Sequence, residues 1–245
     1  MSAKARPHAT KRSARIFPWL LLGAGVLIGW SGIIDQILAY WDDITYLTRQ
    51  HVVLVAASGG AAIAIGVPIG IWLSRPSMAR VAETIMQIFN IGTTIPTLAV
   101  IALSMTLLGI GFAPAFFGLF VASLLPIVRN TYAGLLAVPA HLKEAAHGMG
   151  MTPAQILFRV ELPNALYVIF SGIRTALAIN VGTTPLAFLI GGGGLGELIF
   201  TGIDLMDTGM LLAGAIPTAA LAVLVDFLVG QAQLWLIPKG VNPLR

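Results

Sequence analysis

The chain has 245 residues, of which 57% are hydrophobic and only 10% are charged, with a mean hydropathy of +0.90. Soluble domains carry about 25% charged residues, so this composition excludes an ordinary soluble enzyme and indicates a protein that lies in a membrane. The net charge of +4 fits basic residues on cytoplasmic loops better than a nucleic-acid partner, and the absence of cysteine excludes disulfides, thiolate metal sites and cysteine nucleophiles.

The N-terminal part of the chain predicts a tail, one span and a loop. Residues 1–15 are polar and basic, which predicts a tail that stays in the cytoplasm. The apolar run over about residues 16–34 is longer than the core of a typical signal peptide and lacks a clear cleavage site, so an uncleaved first span is expected. Aspartate, tyrosine and tryptophan follow. The unit over residues 16–49 is therefore predicted to be the first span and an acidic external loop.

The transmembrane domain proper is predicted over residues 50–240. The lengths of the apolar runs indicate five further spans, at about residues 52–73, 83–112, 113–128, 164–190 and 208–237. The predicted fold class is all-α: a polytopic transmembrane helical bundle of about six spans, with both the N-terminus and the C-terminus in the cytoplasm. In this topology Arg49 is the only lysine or arginine in an outer loop, as the positive-inside rule requires.

Arg174 and Asp226 are the ionisable residues that lie deepest in the predicted spans. Charges inside a membrane are costly and usually face the interior of the bundle with a partner. At 1.5 Å per residue, Arg174 lies roughly 15 Å from Asn164 and Asp226 roughly 16 Å from Ile237, on spans of opposite direction. The matching depths predict a buried ion pair or a shared polar cluster.

The longest polar segment between two apolar runs is the loop over residues 138–163. One short helix is predicted over about residues 139–148. A second is predicted to begin at Pro153, with Thr152 as its N-cap and Gln155 completing a capping box, and to end before Pro163. Isolated helices this short are marginal in water, so the loop is expected to dock onto a soluble partner.

The loop contains Glu144-Ala145-Ala146, then Gly150 after three residues, and Val160-x-Leu162-Pro163 after nine more. This spacing resembles the cytoplasmic signature loop of binding-protein-dependent ABC importer permeases. Valine stands where that family usually has isoleucine. The resemblance implies that the loop couples to a cleft on an ATPase subunit through Glu144, Ala145, Ala146, Gly150, Val160, Leu162 and Pro163. The simplest alternative is a helix-turn-helix linker between spans. A DNA-binding helix-turn-helix fits less well, because both ends of the loop run into the membrane.

Residues 189–196 also resemble a stretch common in permeases for osmoprotectants and for amino acids. Residues 172–176 and 214–217 favour the osmoprotectant branch, which imports glycine betaine, choline and carnitine. The likeness covers about residues 50–240. It implies a non-enzymatic permease subunit of an ATP-driven importer in the cell inner membrane. It also implies partners: ATPase subunits that bind ATP and Mg, a second permease copy or paralogue, and an extracytoplasmic substrate-binding protein. No cofactor is expected on this chain.

Polar residues interrupt the third and fifth predicted spans and are predicted to line a translocation path between two permeases, although a single threonine more often bonds to its own helix. These residues are Asn90, Thr93, Thr94, Asn180, Thr183 and Thr184. An amino-acid importer permease remains an alternative. A channel or secondary carrier independent of ATPases is another, and would be expected to contain inverted repeats. A membrane enzyme is disfavoured by the lack of converging catalytic residues.

Two further patterns indicate neither a nucleotide site nor a metal site. Residues 191–196 match G-x-G-x-x-G, but no strand precedes them in a βαβ unit and no lysine follows. A flexible turn or a re-entrant segment is expected there. His141 and His147 are six residues apart and do not share a helical face, so no metal site is predicted.

Overall fold

The computed structural model describes residues 32–238 and 240–241. The predicted basic tail over residues 1–15, and the first span apart from its last residues, lie outside the described residues. Within the described part of the chain no strand occurs. Its helices are α1 (Ile33–Leu38), α2 (Trp41–Leu73), α3 (Ala79–Gly92), α4 (Thr97–Leu108), α5 (Phe112–Leu136), α6 (Ala140–Gly148), α7 (Pro153–Ile156), α8 (Leu162–Thr183), α9 (Gly196–Asp204) and α10 (Thr208–Leu236).

Among the described residues, four stretches are long and apolar enough to cross a membrane: α2, α5, α10 and the nearly continuous run Pro153–Ile190, which contains α7 and α8. A fifth candidate is the pair Pro76–Gly92 and Thr97–Leu108, which is bent by 99°. Pro96 lies at this bend; it has no N–H to donate and restrains the residue before it. The all-α membrane fold is therefore confirmed, whereas the count of six spans and the side of each terminus stay predictions.

The prediction that a loop extends to residue 49 is wrong, because α2 begins at Trp41; the external side of this segment stays a prediction. Asp42 and Asp43 occupy the first turn of α2, where negative charge is stabilised by the helix dipole. Ile44 and Leu47 are buried on one side of that turn. They pack with residues of α9 and α10. This packing against residues distant in sequence stabilises a helix in a segment whose local sequence is typical of a loop.

The predicted end of the loop's second helix at Pro163 is also wrong. A π-helical turn, Leu157–Glu161, joins α7 to α8 and the chain stays helical through Pro163. A proline in a helix removes one hydrogen bond and crowds the preceding turn, and the wider π turn just before it relieves that crowding. Beyond α8 a 3-10 segment, Thr184–Ile190, completes the span to its predicted end.

The centre of the molecule is α5, which packs against both α2 and α8. It is longer than the predicted fourth span over residues 113–128. Glycines allow the close approach: a Cβ atom at Gly70 would lie 2.5 Å from Cβ of Thr131, and one at Gly172 would lie 2.4 Å from Cβ of Asn130. Small residues at helix interfaces allow this close approach of backbones in membrane proteins. Because α5 and α8 flank residues 138–163, their packing fixes the loop at one end of the bundle.

Candidate functional site

Backbone hydrogen bonds close the turn between the two short helices in the loop that connects α5 to α8. After α6 the backbone of Gly150 has a positive φ of 77°. The N–H of Gly150 donates to the carbonyl of His147 at 2.9 Å, and that of Met151 donates to Ala146 at 3.1 Å. This is a Schellman ending, which favours glycine because other residues are strained at positive φ.

The second helix of the loop begins as predicted. Thr152 is its N-cap and its hydroxyl accepts from the N–H of Gln155 at 3.4 Å, while the N–H of Thr152 donates to Oε1 of Gln155 at 2.9 Å. The capping box is therefore complete. The end of α6 and the start of α7 therefore both have their backbone groups hydrogen-bonded.

That surface combines one acidic and several apolar groups. Glu144, Ala145 and Gly150 are exposed, whereas Ala146 is buried and anchors α6 to the chain. The large apolar side chains of Met149 and Phe158 are 69% and 67% exposed. Sequence reasoning missed Phe158, although its place among apolar residues at helical spacing was a usable signal.

The remaining residues of the motif lie behind this surface, where Val160, Leu162 and Pro163 are half-buried. Between them Glu161 is buried, and its Oε2 accepts a hydrogen bond of 2.7 Å from Nη1 of Arg75. This ion pair was not predicted. Its two residues lie at the ends of separate spans, and only their shared side of the bundle could have suggested the contact.

Arg174 and Asp226 do form an ion pair, in which Nε and Nη2 of the arginine donate to the two carboxylate oxygens. The arginine belongs to α8 and the aspartate to α10. Within this single chain the pair is not buried, since the side chains are 44% and 39% exposed, and its burial in the assembled permease stays a prediction.

The polar residues predicted to line a path fall into two groups. Asn90, Thr93 and Thr94 are exposed at the bend between α3 and α4. The hydroxyls of the two threonines donate to the carbonyls of Asn90 and Ile91 at 2.7 Å each. Beside the bend, a cavity of about 580 Å³ is lined by residues of α3, α4 and α5, and Thr93 is one of the few polar groups on its wall.

The second group is largely internal. Asn180 is 2% exposed, and its amide donates to Oγ of Ser123 at 2.7 Å and to Oγ of Ser58 at 3.0 Å. Thr184 is fully buried and donates to the carbonyl of Asn180 at 2.8 Å. Asn180 therefore links α8 to α2 and α5, and both residues are buried inside the chain. Thr183 is half-buried and bonds to its own helix.

The glycine run over residues 191–196 is a packed turn at the end of the bundle opposite the loop. Gly191, Gly193 and Gly194 have positive φ angles. The N–H of Gly194 donates to Oε1 of Gln50 at 3.0 Å, and a Cβ atom at Gly193 would lie 2.4 Å from the same oxygen. The turn fits against α2 and encloses no phosphate cradle. Among the described residues no three potential metal ligands converge.

Comparison with known proteins identifies a family for this chain. The family model described as "Binding-protein-dependent transport system inner membrane component" matches residues 66–239. The chain belongs to this family.

Several relatives cover most of the chain. The osmoprotectant import permease protein OsmY of Salmonella typhimurium is 55% identical over 86% of this chain and 90% of its own length. The choline transport system permease protein OpuBB of Bacillus subtilis is 40% identical, with coverages of 83% and 93%. Among solved structures, an inward-facing MetNI methionine ABC transporter aligns with a TM-score of 0.69 and 25% identity, covering 81% of this chain and 95% of the other.

Membership in this family establishes the broad role of the chain. It is the permease subunit of an ABC importer in the inner membrane, a transport subunit rather than an enzyme, and ATP is hydrolysed on a separate subunit. Such a permease works with an ATPase and with a binding protein.

Proposed function

We propose that this permease imports osmoprotectants, that is glycine betaine, choline, carnitine or related quaternary amines. The names of the relatives support this assignment, at 55% identity for an osmoprotectant permease and 40% for a choline permease. An amino-acid importer is the second candidate, favoured by the likeness to a methionine transporter at 25% identity. The higher identities decide for the osmoprotectants.

Coupling to the ATPase is assigned to the loop over residues 138–163. Glu144 offers a charge, and Met149 and Phe158 offer apolar area that is costly to leave in water. Adaptable methionine and aromatic side chains suit a protein contact. The seven residues of the motif then have two roles. The exposed residues contact the ATPase or set the shape of the contact surface: Glu144, Ala145 and Gly150. The buried and half-buried residues pack the loop against the bundle: Ala146, Val160, Leu162 and Pro163.

The path is assigned to a surface shared by two permease copies, or by this chain and a paralogue. Asn90, Thr93 and Thr94 support this placement, because they expose polar groups at a bend in an otherwise apolar span. Thr183 stays in the proposal as a half-buried hydroxyl. Asn180 and Thr184 are not included in the proposed path, because both are buried within the chain and Asn180 bonds to Ser58 and Ser123 of neighbouring spans.

The cycle follows from the two assignments. ATP and Mg bind to the ATPase subunits, and this chain binds no cofactor of its own. Closure of the ATPases moves both loops, and the spans attached to them change from inward-facing to outward-facing states. An external binding protein delivers the solute. A channel or carrier that needs no ATPase is the competing possibility for the same fold.

The experiment reconstitutes the permease, its ATPase and its binding protein in proteoliposomes and measures uptake of radiolabelled glycine betaine, choline, carnitine and methionine. Glu144→Arg and Gly150→Asp are expected to abolish ATPase binding and uptake together. Glu83→Arg, a change at an exposed acidic residue of α3, is the matched control. Uptake that persists without ATP, or that is unchanged in both Glu144→Arg and Gly150→Asp, refutes the coupling role. Uptake of methionine alone refutes the substrate class.

A further inference from the structure

The ion pair between Arg75 and Glu161 joins two parts of the chain that are 86 residues apart in sequence. Arg75 lies in the turn after α2 and caps the short 3-10 segment Pro76–Met78 that leads into α3. Glu161 is the last residue of the π-helical turn between α7 and α8. The contact therefore links the coupling loop to the point where α2 ends and the bent span begins.

Arg75 is also hydrogen-bonded to residues at the end of α2, independently of its contact with Glu161. Its Nε donates to the carbonyl of Ile71 at 3.2 Å, and its Nη2 donates to Oγ of Ser74 at 2.8 Å. Leu73, two residues earlier, is buried. The guanidinium is thus fixed relative to α2, so a displacement of Glu161 acts on the helix and not merely on a flexible side chain.

The pair is also shielded from water. The side chains of Arg75 and Glu161 are only 27% and 12% exposed, whereas exposed pairs contribute little because solvent and salt screen them. Removing one partner of such a pair leaves the other charge poorly solvated. The position of Glu161 in a π-helical turn is notable as well, because such turns are rare and concentrate at functional sites.

We propose that Arg75 and Glu161 form a joint that transmits the movement of the coupling loop to α2 and to the bent span. This inference rests on the proposed coupling role of the loop. Covalently, the loop is attached to α5 and α8 alone. The ion pair adds a direct link to α2 and, through the 3-10 segment, to the bend that carries Asn90, Thr93 and Thr94. Breaking the link leaves the ATPases able to move the loop while part of the path fails to follow.

The test measures solute moved per ATP hydrolysed by the complete reconstituted complex. Arg75→Gln and Glu161→Gln each remove a charge at nearly constant shape, and both are expected to lower this ratio by roughly five- to tenfold, at the lower end of usual coupling between sites. ATPase binding stays at the unmodified level. The double variant is expected to be no worse than either single variant, as for two residues that act through one contact.

Two controls separate transmission from simple support of the fold. Arg75→Lys keeps the positive charge and is expected to recover most of the ratio. Arg80→Gln is expected to leave the ratio unchanged, because Arg80 is exposed and makes no hydrogen bond or ion pair with the described part of the chain. An unchanged ratio in both glutamine variants overturns the joint. A fall in transport that only follows the amount of assembled complex, at a constant ratio, overturns it too.

Failure of the joint can be told from failure of the coupling loop itself. If Glu144→Arg and Gly150→Asp abolish uptake while Arg75→Gln and Glu161→Gln do not alter the ratio, the loop couples but the joint is absent. If all four variants behave as the unmodified complex does, the coupling role itself is refuted.

Discussion

Substitution of Gly70 by alanine tests how closely α2 approaches α5. A Cβ atom at Gly70 would lie 2.5 Å from Cβ of Thr131 and 2.9 Å from the carbonyl oxygen of Val128. A side chain can rotate away from such a contact, but a Cβ atom and a backbone oxygen cannot. The two helices must therefore separate, and overpacking of this kind costs about 1–3 kcal/mol.

Gly60 provides the matched control, since it lies in the same helix and an added Cβ atom there meets nothing within 4 Å. Both substitutions gain the same helix propensity, up to about 1 kcal/mol in favour of alanine. Gly60→Ala is therefore expected to be neutral or stabilising. The difference between the two variants is the clash alone, about 1–3 kcal/mol in favour of Gly60→Ala.

The assay follows thermal unfolding of the purified permease in detergent through its intrinsic tryptophan fluorescence, with size-exclusion chromatography to check that each variant remains monodisperse. Gly70→Ala is expected to unfold at a clearly lower temperature than both the unmodified protein and Gly60→Ala. Equal unfolding temperatures for the two variants would refute the close helix contact on which the central packing is argued.

Two further predictions concern the ends of helices. Gly150→Ala is expected to destabilise the loop by about 1–2 kcal/mol, because alanine is strained at positive φ. Gly148→Ala is the control, since Gly148 has neither a positive φ nor a neighbour that an added Cβ atom would meet. Protease cleavage within residues 138–163 is expected to accelerate in Gly150→Ala only. At the other end of the bundle, hydrogen bonds from the N–H of Met210 and from the hydroxyl of Tyr40 hold the pKa of Asp207 below its ordinary value of 3.8. The stabilisation is present above that value and is lost as pH falls through the lower folded pKa, so the unfolding temperature of the unmodified protein should fall more steeply below pH 4 than that of Asp207→Asn.

Several features of the fold could be predicted from short stretches of sequence. The capping box at Thr152 and Gln155 depends on residues three positions apart, and the structure contains it. The last span, predicted over residues 208–237, is observed as Thr208–Leu236, since a long apolar run needs little else to identify it. Even the pairing of Arg174 with Asp226 followed from their equal depth in the membrane.

Other features could not be predicted because they depend on distant parts of the chain. The helical start of α2 at Trp41 rests on cover from α9 and α10 for Ile44 and Leu47. The continuation of the chain through Pro163 rests on a π turn that has no simple sequence signal. The exposure of the Arg174 and Asp226 pair could not be predicted either, since depth along a span does not say which side of the helix a neighbour covers.

The sequence by itself determined that this is a helical membrane protein with a long polar loop between two apolar runs, because hydropathy, helix caps and motif spacing are properties of neighbouring residues. Only the tertiary structure decided which polar groups meet. Asn180 bonds to Ser58 and Ser123, which are 122 and 57 positions away, and Arg75 bonds to Glu161 across 86 positions. Such partners are chosen by how whole helices pack, and that packing is set by many contacts at once rather than by any local pattern.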